Sequence, residues 1–199
     1  MNEKEDSVIH PLALRVLHWI NAVAVIVMIL SGWRIYDAAP IWDFEFPRGL
    51  TLGGWLAGAL AWHFAAMWLL GANLLAYLLY GLLTGHFRRR LLPLSPSGAW
   101  RDMRGAPAPR APGRYNAMQR IAYVFAILAV LAAIVSGLAV WKPVQLQELA
   151  AVMGGYEGAR RLHFFAMAAL VLFIVMHVAQ AVRVKGLLRP MVTGRAEPE

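Results

Sequence analysis

Six histidines punctuate the 199-residue chain, and four of them, His18, His63, His163 and His177, fall inside long apolar runs. An ionisable side chain in hydrocarbon is costly and rare, so each of the four is a candidate for function. Imidazole offers a hydrogen bond at one ring nitrogen and a metal-binding lone pair at the other. His163 and His177 share one run, RRLHFFAMAALVLFIVMHVAQAVR, fourteen residues apart. On a helix that spacing turns ~1,400°, four turns less about 40°, so both rings face one side roughly 21 Å apart along the axis.

Composition says what must hold these rings in place. Hydrophobic residues make up 60% of the chain and charged residues only 15%, against roughly 45–50% and 25% in a soluble domain. The reading is a single integral membrane domain over residues 1–199. A hydrocarbon core of ~30 Å needs about 20 apolar helical residues, and four stretches qualify, at about residues 16–35, 55–83, 121–141 and 162–182. The second belongs to a longer run, Leu50–Leu83, which must tilt, protrude or bend near Gly53-Gly54. The expected fold is an all-α, up-and-down four-helix transmembrane bundle. Residues 86–117, rich in Pro, Gly and Arg, are expected to be largely irregular. PVQLQELAAVMGG should form a short amphipathic helix stopped at Gly154-Gly155. Trp33, Trp42, Trp55 and Trp141 fall where interface anchors belong. No internal repeat is evident from the residues alone.

Orientation follows from where Lys and Arg lie. Arg88, Arg89, Arg90, Arg101, Arg104, Arg110 and Arg114 crowd the segment between the second and third runs, and Arg183, Lys185, Arg189 and Arg195 follow the fourth. The other two loops are far less basic. Both termini and the middle loop are therefore expected on the cytoplasmic side. The net charge of +8 thus reads as a topology signal and not as a nucleic-acid footprint. The acidic start, with Glu3, Glu5 and Asp6, and the lack of a small-residue cleavage site make the first run a retained span. With no cysteine in these residues, iron–sulfur clusters, disulfides and thioether-linked haem are excluded.

Depth then sorts the histidines into two pairs. His18 and His177 lie toward the cytoplasmic ends of their spans, His63 and His163 toward the outer ends. Two flat macrocycles in one membrane domain, each gripped by a histidine from the fourth span and one from another helix, account for that arrangement. Bis-imidazole ligation leaves the iron no open position, which suits electron transfer. Zinc would want three or four ligands at one level, and each level offers two. No Asp or Glu lies inside a span, which argues against a carboxylate-based proton pump or ion-coupled transporter. His86 is expected at the interface, or in contact with a quinone or lipid headgroup. His10 precedes the membrane and has no assigned role.

The stretches RVLHWINAVAVIVMILSGW, WHFAAMWLLGANLLAYLLYG, YNAMQRIAYVFAILAVLAAIVSGLAV and RRLHFFAMAALVLFIVMHV resemble the small di-haem membrane cytochromes b. These serve nickel–iron hydrogenases, thiosulfate reductases and other molybdenum oxidoreductases, and bacterial cytochrome b-561 is a relative. The likeness runs from about Leu12 to Val184. It implies two non-covalent b haems ligated by His18, His63, His163 and His177, a site for ubiquinone or menaquinone, and a periplasmic molybdoenzyme or other redox subunit as partner. The hydrogenase type usually has a fifth span, and four are counted here, which favours the molybdoenzyme-partner and b-561 branches.

On this reading Arg15 and Arg183 near the inner haem, and Arg160 and Arg161 near the outer one, are candidates to pair with haem propionates, although a snorkelling arginine fits each position too. Arg120, at the membrane edge, belongs with the inner group. Asn21, Asn73, Ser136 and Gln180 are expected to hydrogen-bond between helices, and Gly54, Gly58, Gly81, Gly85 and Gly137 to permit close helix or macrocycle approach. Two other functions compete. A stand-alone oxidoreductase would pass electrons from a small donor such as superoxide to quinone. A haem-free membrane anchor would bond its histidines to backbone.

Overall fold

The computed structural model describes residues 10–85, 87–88, 94–104, 116–183 and 188–194. Four long helices dominate: α1 (Leu12–Ala38), α2 (Leu56–Leu83), α4 (Ala117–Trp141) and α6 (Gly155–Arg183). The short helices α3 (Pro96–Met103), α5 (Gln147–Val152) and α7 (Leu188–Thr193) lie between and after them. Each long helix is apolar and long enough to cross a bilayer. The chain is an all-α, multi-pass membrane protein. α1, α4 and α6 begin before the apolar stretches read from the sequence, because helical hydrogen bonding continues into polar turns that hydropathy does not count. Large apolar side chains, among them Trp62, Trp68, Leu75, Leu82, Leu172 and Val175, stand on the helix surfaces. In water that surface would be a liability, and in lipid it is the solvated face.

The described residues fall into two compact units. In the first, Pro11–Tyr80, α1 and α2 run antiparallel. Ser31 meets His63 at the connected end, and Asn73 Nδ2 donates to the Leu17 carbonyl at 3.0 Å toward the open end. The connection is tied back by Leu52 N donating to Leu30 O at 3.0 Å and by Arg34 Nε donating to Gly54 O at 3.0 Å. Trp33 stacks on Phe46 at 4.7 Å. The bend expected near Gly53-Gly54 is there, with Gly53 at φ 107°. A Cβ on Gly53 would also overlap the Ala59 backbone.

The second unit pairs α4 with α6, again antiparallel, with Ser136 against His163 at the connected end and Tyr123 beside His177 at the open end. α5 is the short helix expected before α6, and Gly154 and Gly155, both at positive φ, turn the chain after it. Ala139, Ala150 and Ala159 bring α4, α5 and α6 together through small side chains, as lipid-embedded helices ordinarily pack. The basic segment is not wholly irregular. α3 lies within it, started by Ser95, whose hydroxyl accepts from Gly98 N at 3.1 Å, and by Pro96 in its first turn. Residues 105–115 of that segment lie outside the described residues. Asp102 accepts from Met118 N at 3.2 Å, and Asn116 with Gln119 forms a capping box that starts α4. Residues 116–120 of the YNAMQR stretch therefore have a local folding role.

The structure also reveals a repeat that the sequence conceals. Advancing 105 positions carries the buried Ala24, Val25 and Ser31 of α1 onto the buried Ala129, Val130 and Ser136 of α4. Advancing 100 positions carries Ala59, Ala66 and Leu70 of α2 onto Ala159, Ala166 and Leu170 of α6, all buried, and His63 onto His163. Gly58 and Gly158 match as well, each so close to the carbonyl five residues earlier that a Cβ would overlap it. Repeat arrays betray themselves through matching residue types, but here the two copies share burial and contact more than identity.

Gly158→Ala should therefore destabilise the detergent-solubilised protein by roughly 1–3 kcal/mol through overpacking. Gly71→Ala, with no atom within 4 Å of the new Cβ, should be neutral or stabilising by up to about 1 kcal/mol. Thermal melting of the two variants against the parent checks this.

Candidate functional site

At the connected end of each unit a histidine is held by a serine of the neighbouring helix. Ser31 Oγ donates to the Val27 carbonyl at 2.6 Å, one turn back on its own helix. Its single hydrogen is then committed, so the 3.0 Å contact with His63 Nδ1 must have the ring as donor. Ser136 does the same, donating to Ala132 O at 2.6 Å and lying 3.2 Å from His163 Nδ1. His163 Nδ1 also lies 2.9 Å from the Ala133 carbonyl, which can only accept. Both rings are thus assigned, from the network, as Nδ1–H tautomers with the lone pair on Nε2.

The glycine after each serine makes room for the ring. A Cβ on Gly137 would come within 3.0 Å of His163 Cε1, whereas one on Gly32 would sit 3.4 Å from His63 Cε1. Ser31 and Ser136 are themselves 0% exposed, so neither hydroxyl competes with water for its histidine.

Toward the open ends the surroundings differ. His177 stacks on Phe173 of the preceding turn (5.6 Å, 13°) and presents its ring to Tyr123 of α4 at 6.5 Å. His18 meets Trp19 edge-on at 5.3 Å, and the adjacent Leu17 carbonyl accepts from Asn73. α6 is one uninterrupted helix carrying both His163 and His177, so the face relation expected from their spacing applies. Two buried polar atoms of the first unit, Trp33 Nε1 and Asn73 Oδ1, meet no hydrogen-bond partner among the described residues. Leaving a buried donor or acceptor unpaired costs about 1–3 kcal/mol, and the two lie at opposite ends of the unit, one at each histidine's level.

The arginines singled out from the sequence divide. Arg15 lies one turn before His18 with its Nε buried, as is that of Arg120. Arg160 is engaged on its own helix, paired with Glu157 at 3.0 Å and lying over Tyr156. Arg161 and Arg183 are exposed. Ser136 and Asn73 make the interhelical hydrogen bonds expected of them. His86 lies outside the described residues. Sequence reasoning missed Ser31, Tyr123 and Phe173. The signal for Ser31 was the Ser-Gly pair common to ILSGW and IVSGL.

The match to known proteins decides what this geometry belongs to. Residues 9–194 match the model of the prokaryotic cytochrome b561 family. The chain belongs to that family. It is 47% identical over 195 residues, 96% of this chain and 98% of the relative, to the putative protein-methionine-sulfoxide reductase subunit YedZ1 of Azospira oryzae. It is 25% identical over 190 residues to the probable Ni/Fe-hydrogenase B-type cytochrome subunit of Bradyrhizobium diazoefficiens, covering 85% of this chain and 75% of that protein. Over a shorter stretch of 82 residues, 41% of this chain and 38% of the relative, it is 34% identical to the formate dehydrogenase cytochrome b556(fdo) subunit of Escherichia coli K12. This cytochrome b561-type chain is accordingly a membrane electron-transfer subunit of the kind associated with oxidoreductases, and the family implies b-type haem.

Because the Gly137 position is the tighter of the two, Gly137→Ala should displace the His163 ring and, where that ring holds one of two haems, lower the haem retained per chain toward one half. Gly32→Ala, at ordinary contact distance, should retain haem near the parental level. Pyridine haemochrome assays normalised to protein distinguish the two.

Proposed function

We propose that this chain carries electrons across the bacterial inner membrane between the quinone pool and a redox subunit on its outer face. Two b-type haems would serve, the inner one held by His18 and His177 and the outer by His63 and His163. The carrying observation is the contact of His63 and His163 Nδ1 with groups that accept, which assigns the proton to Nδ1 and the lone pair to Nε2, the arrangement that a metal-ligating imidazole needs. Held by these imidazoles, a b-type haem would supply one-electron chemistry.

The chain's own residues do the rest. Ser31 and Ser136 lock the outer rings, and Phe173 and Tyr123 fix the plane of His177. Asn73 shapes the polar surroundings beside His18. Arg15 and Arg120, with buried Nε atoms, are placed to offset acidic groups toward the cytoplasmic ends, while Arg161 and Arg183 remain at the surfaces. Apolar helix faces keep the interior at low dielectric, so a buried charge change is met by oriented groups and not by water.

The partner class follows from the relative named as a subunit of a protein-methionine-sulfoxide reductase, matched along nearly its whole length. Reducing a sulfoxide to a thioether and water consumes two electrons and two protons. Oxidising one quinol to quinone releases the same number of each, so electrons would run outward from ubiquinol or menaquinol to a periplasmic reductase subunit. A molybdoenzyme fits that role. The positive-inside pattern, with the Arg-rich segment between α2 and α4, supports both termini lying in the cytoplasm.

Each histidine tests the pairing separately. His18→Ala and His177→Ala should each abolish the same haem, and His63→Ala and His163→Ala the other, leaving one haem per chain in every case. Redox-difference spectra with a haem count read this out. Loss of different haems within either pair would refute the assignment.

A further inference from the structure

Building on the haem reading above, we infer that Ser31 and Ser136 are a matched pair of positioning residues that together set the electron affinity of the outer haem. Three features of the structure carry this. First, both hydroxyls are wholly buried, and both donate to the carbonyl four residues back at 2.6 Å and face a histidine Nδ1, Ser31 at 3.0 Å and Ser136 at 3.2 Å, the second sharing the His163 N–H with the Ala133 carbonyl at 2.9 Å. Second, the two copies occupy equivalent places in the repeat, Ser31 with His63 in one and Ser136 with His163 in the other. Third, the residue after each serine is the glycine against which the ring rests. The fit is tight at Gly137, where a Cβ would stand 3.0 Å from the ring, and is ordinary contact at Gly32, at 3.4 Å.

The physical consequence has a definite sign. A ring whose Nδ1–H donates to an acceptor becomes a more basic ligand at Nε2. A more basic ligand favours the oxidised iron. The serine oxygen is a better acceptor for having given its own hydrogen to a backbone carbonyl, because hydrogen bonds in a chain polarise one another. Each serine therefore lowers the reduction potential of the haem its histidine holds. On the pairing proposed above, in which His63 and His163 would hold one haem, both serines act on one centre.

The test uses the full-length protein in detergent or nanodiscs. Ser31→Ala and Ser136→Ala are compared with the volume-conserving Ser31→Cys and Ser136→Cys, and with Ser97→Ala as a surface control. Haem content, optical potentiometric titration and low-spin ferric EPR are recorded for each. Both Ala variants should shift the same haem, the one absent from His63→Ala, to more positive potential. The shift should be up to about tenfold in the reduced-to-oxidised ratio, equivalent to 59 mV for one electron. The other haem should keep its parental potential and g values. The Cys variants should shift in the same direction, because sulfur is a weak acceptor. Unchanged potentials with both haems retained would overturn the inference, as would Ala variants that shift different haems, or Cys variants indistinguishable from the parent. A parent protein that binds no haem would overturn the haem reading beneath it, and that result is visible before any variant is made.

Discussion

A neutral imidazole in hydrocarbon carries one N–H and one lone pair, and lipid satisfies neither. Much of this molecule answers that constraint. At His63 and His163 the N–H is taken by a buried serine, and at His163 by the Ala133 carbonyl too. For the serine to accept, its own hydrogen must go elsewhere, and the carbonyl one turn back receives it. For the ring to reach the serine, the neighbouring helix must leave room at the next position: a Cβ on Gly137 would stand 3.0 Å from the His163 ring, while one on Gly32 would meet His63 at an ordinary 3.4 Å. The second helix of each unit must also enter at a set depth, which the close packing of Gly58 and Gly158 on the preceding turn secures. Hydrogen bond, glycine and helix entry form one chain of requirements.

The repeat shows which part of that chain was built twice. The connected ends match closely: serine, glycine, close-packed entry, buried alanine, histidine. The open ends do not. His18 corresponds to Tyr123, and His177 corresponds to Tyr77, so at this level the histidine sits on the first helix of one unit and on the second helix of the other. Two copies of one helical hairpin thus yield one histidine per unit at each level by different routes. Aromatic residues fill the exchanged positions, and in the second unit Tyr123 and Phe173 flank His177 directly.

Outside the histidines the chain is organised by lipid. Small buried residues let the helices approach, as at Ala139, Ala150 and Ala159, while large apolar ones face outward. Where apolar surface drives no association, helix contact depends on fit and on polar links such as Asn73 to Leu17 and Ser136 to His163. A cytochrome b561-type electron-transfer subunit gains from such an interior, because a site in which few groups can move relaxes little when its charge changes by one.

The sequence by itself determined the elements and the family. Four apolar runs of membrane length, the short helix before Gly154-Gly155 and the four intramembrane histidines were all legible, because hydropathy and the rarity of polar groups in lipid are local properties of the chain. It also pointed to Ser136 and Asn73 as interhelical links. It did not reveal α3, whose start rests on one serine cap and a proline within an otherwise irregular composition. Nor did it reveal the role of Ser31, the tautomers of His63 and His163, or the repeat relating the two units. Those belong to the tertiary structure, since which nitrogen of a ring carries the proton depends on an acceptor 32 residues away in the chain for His63 and 27 for His163, and proximity of that kind exists only once the helices have packed.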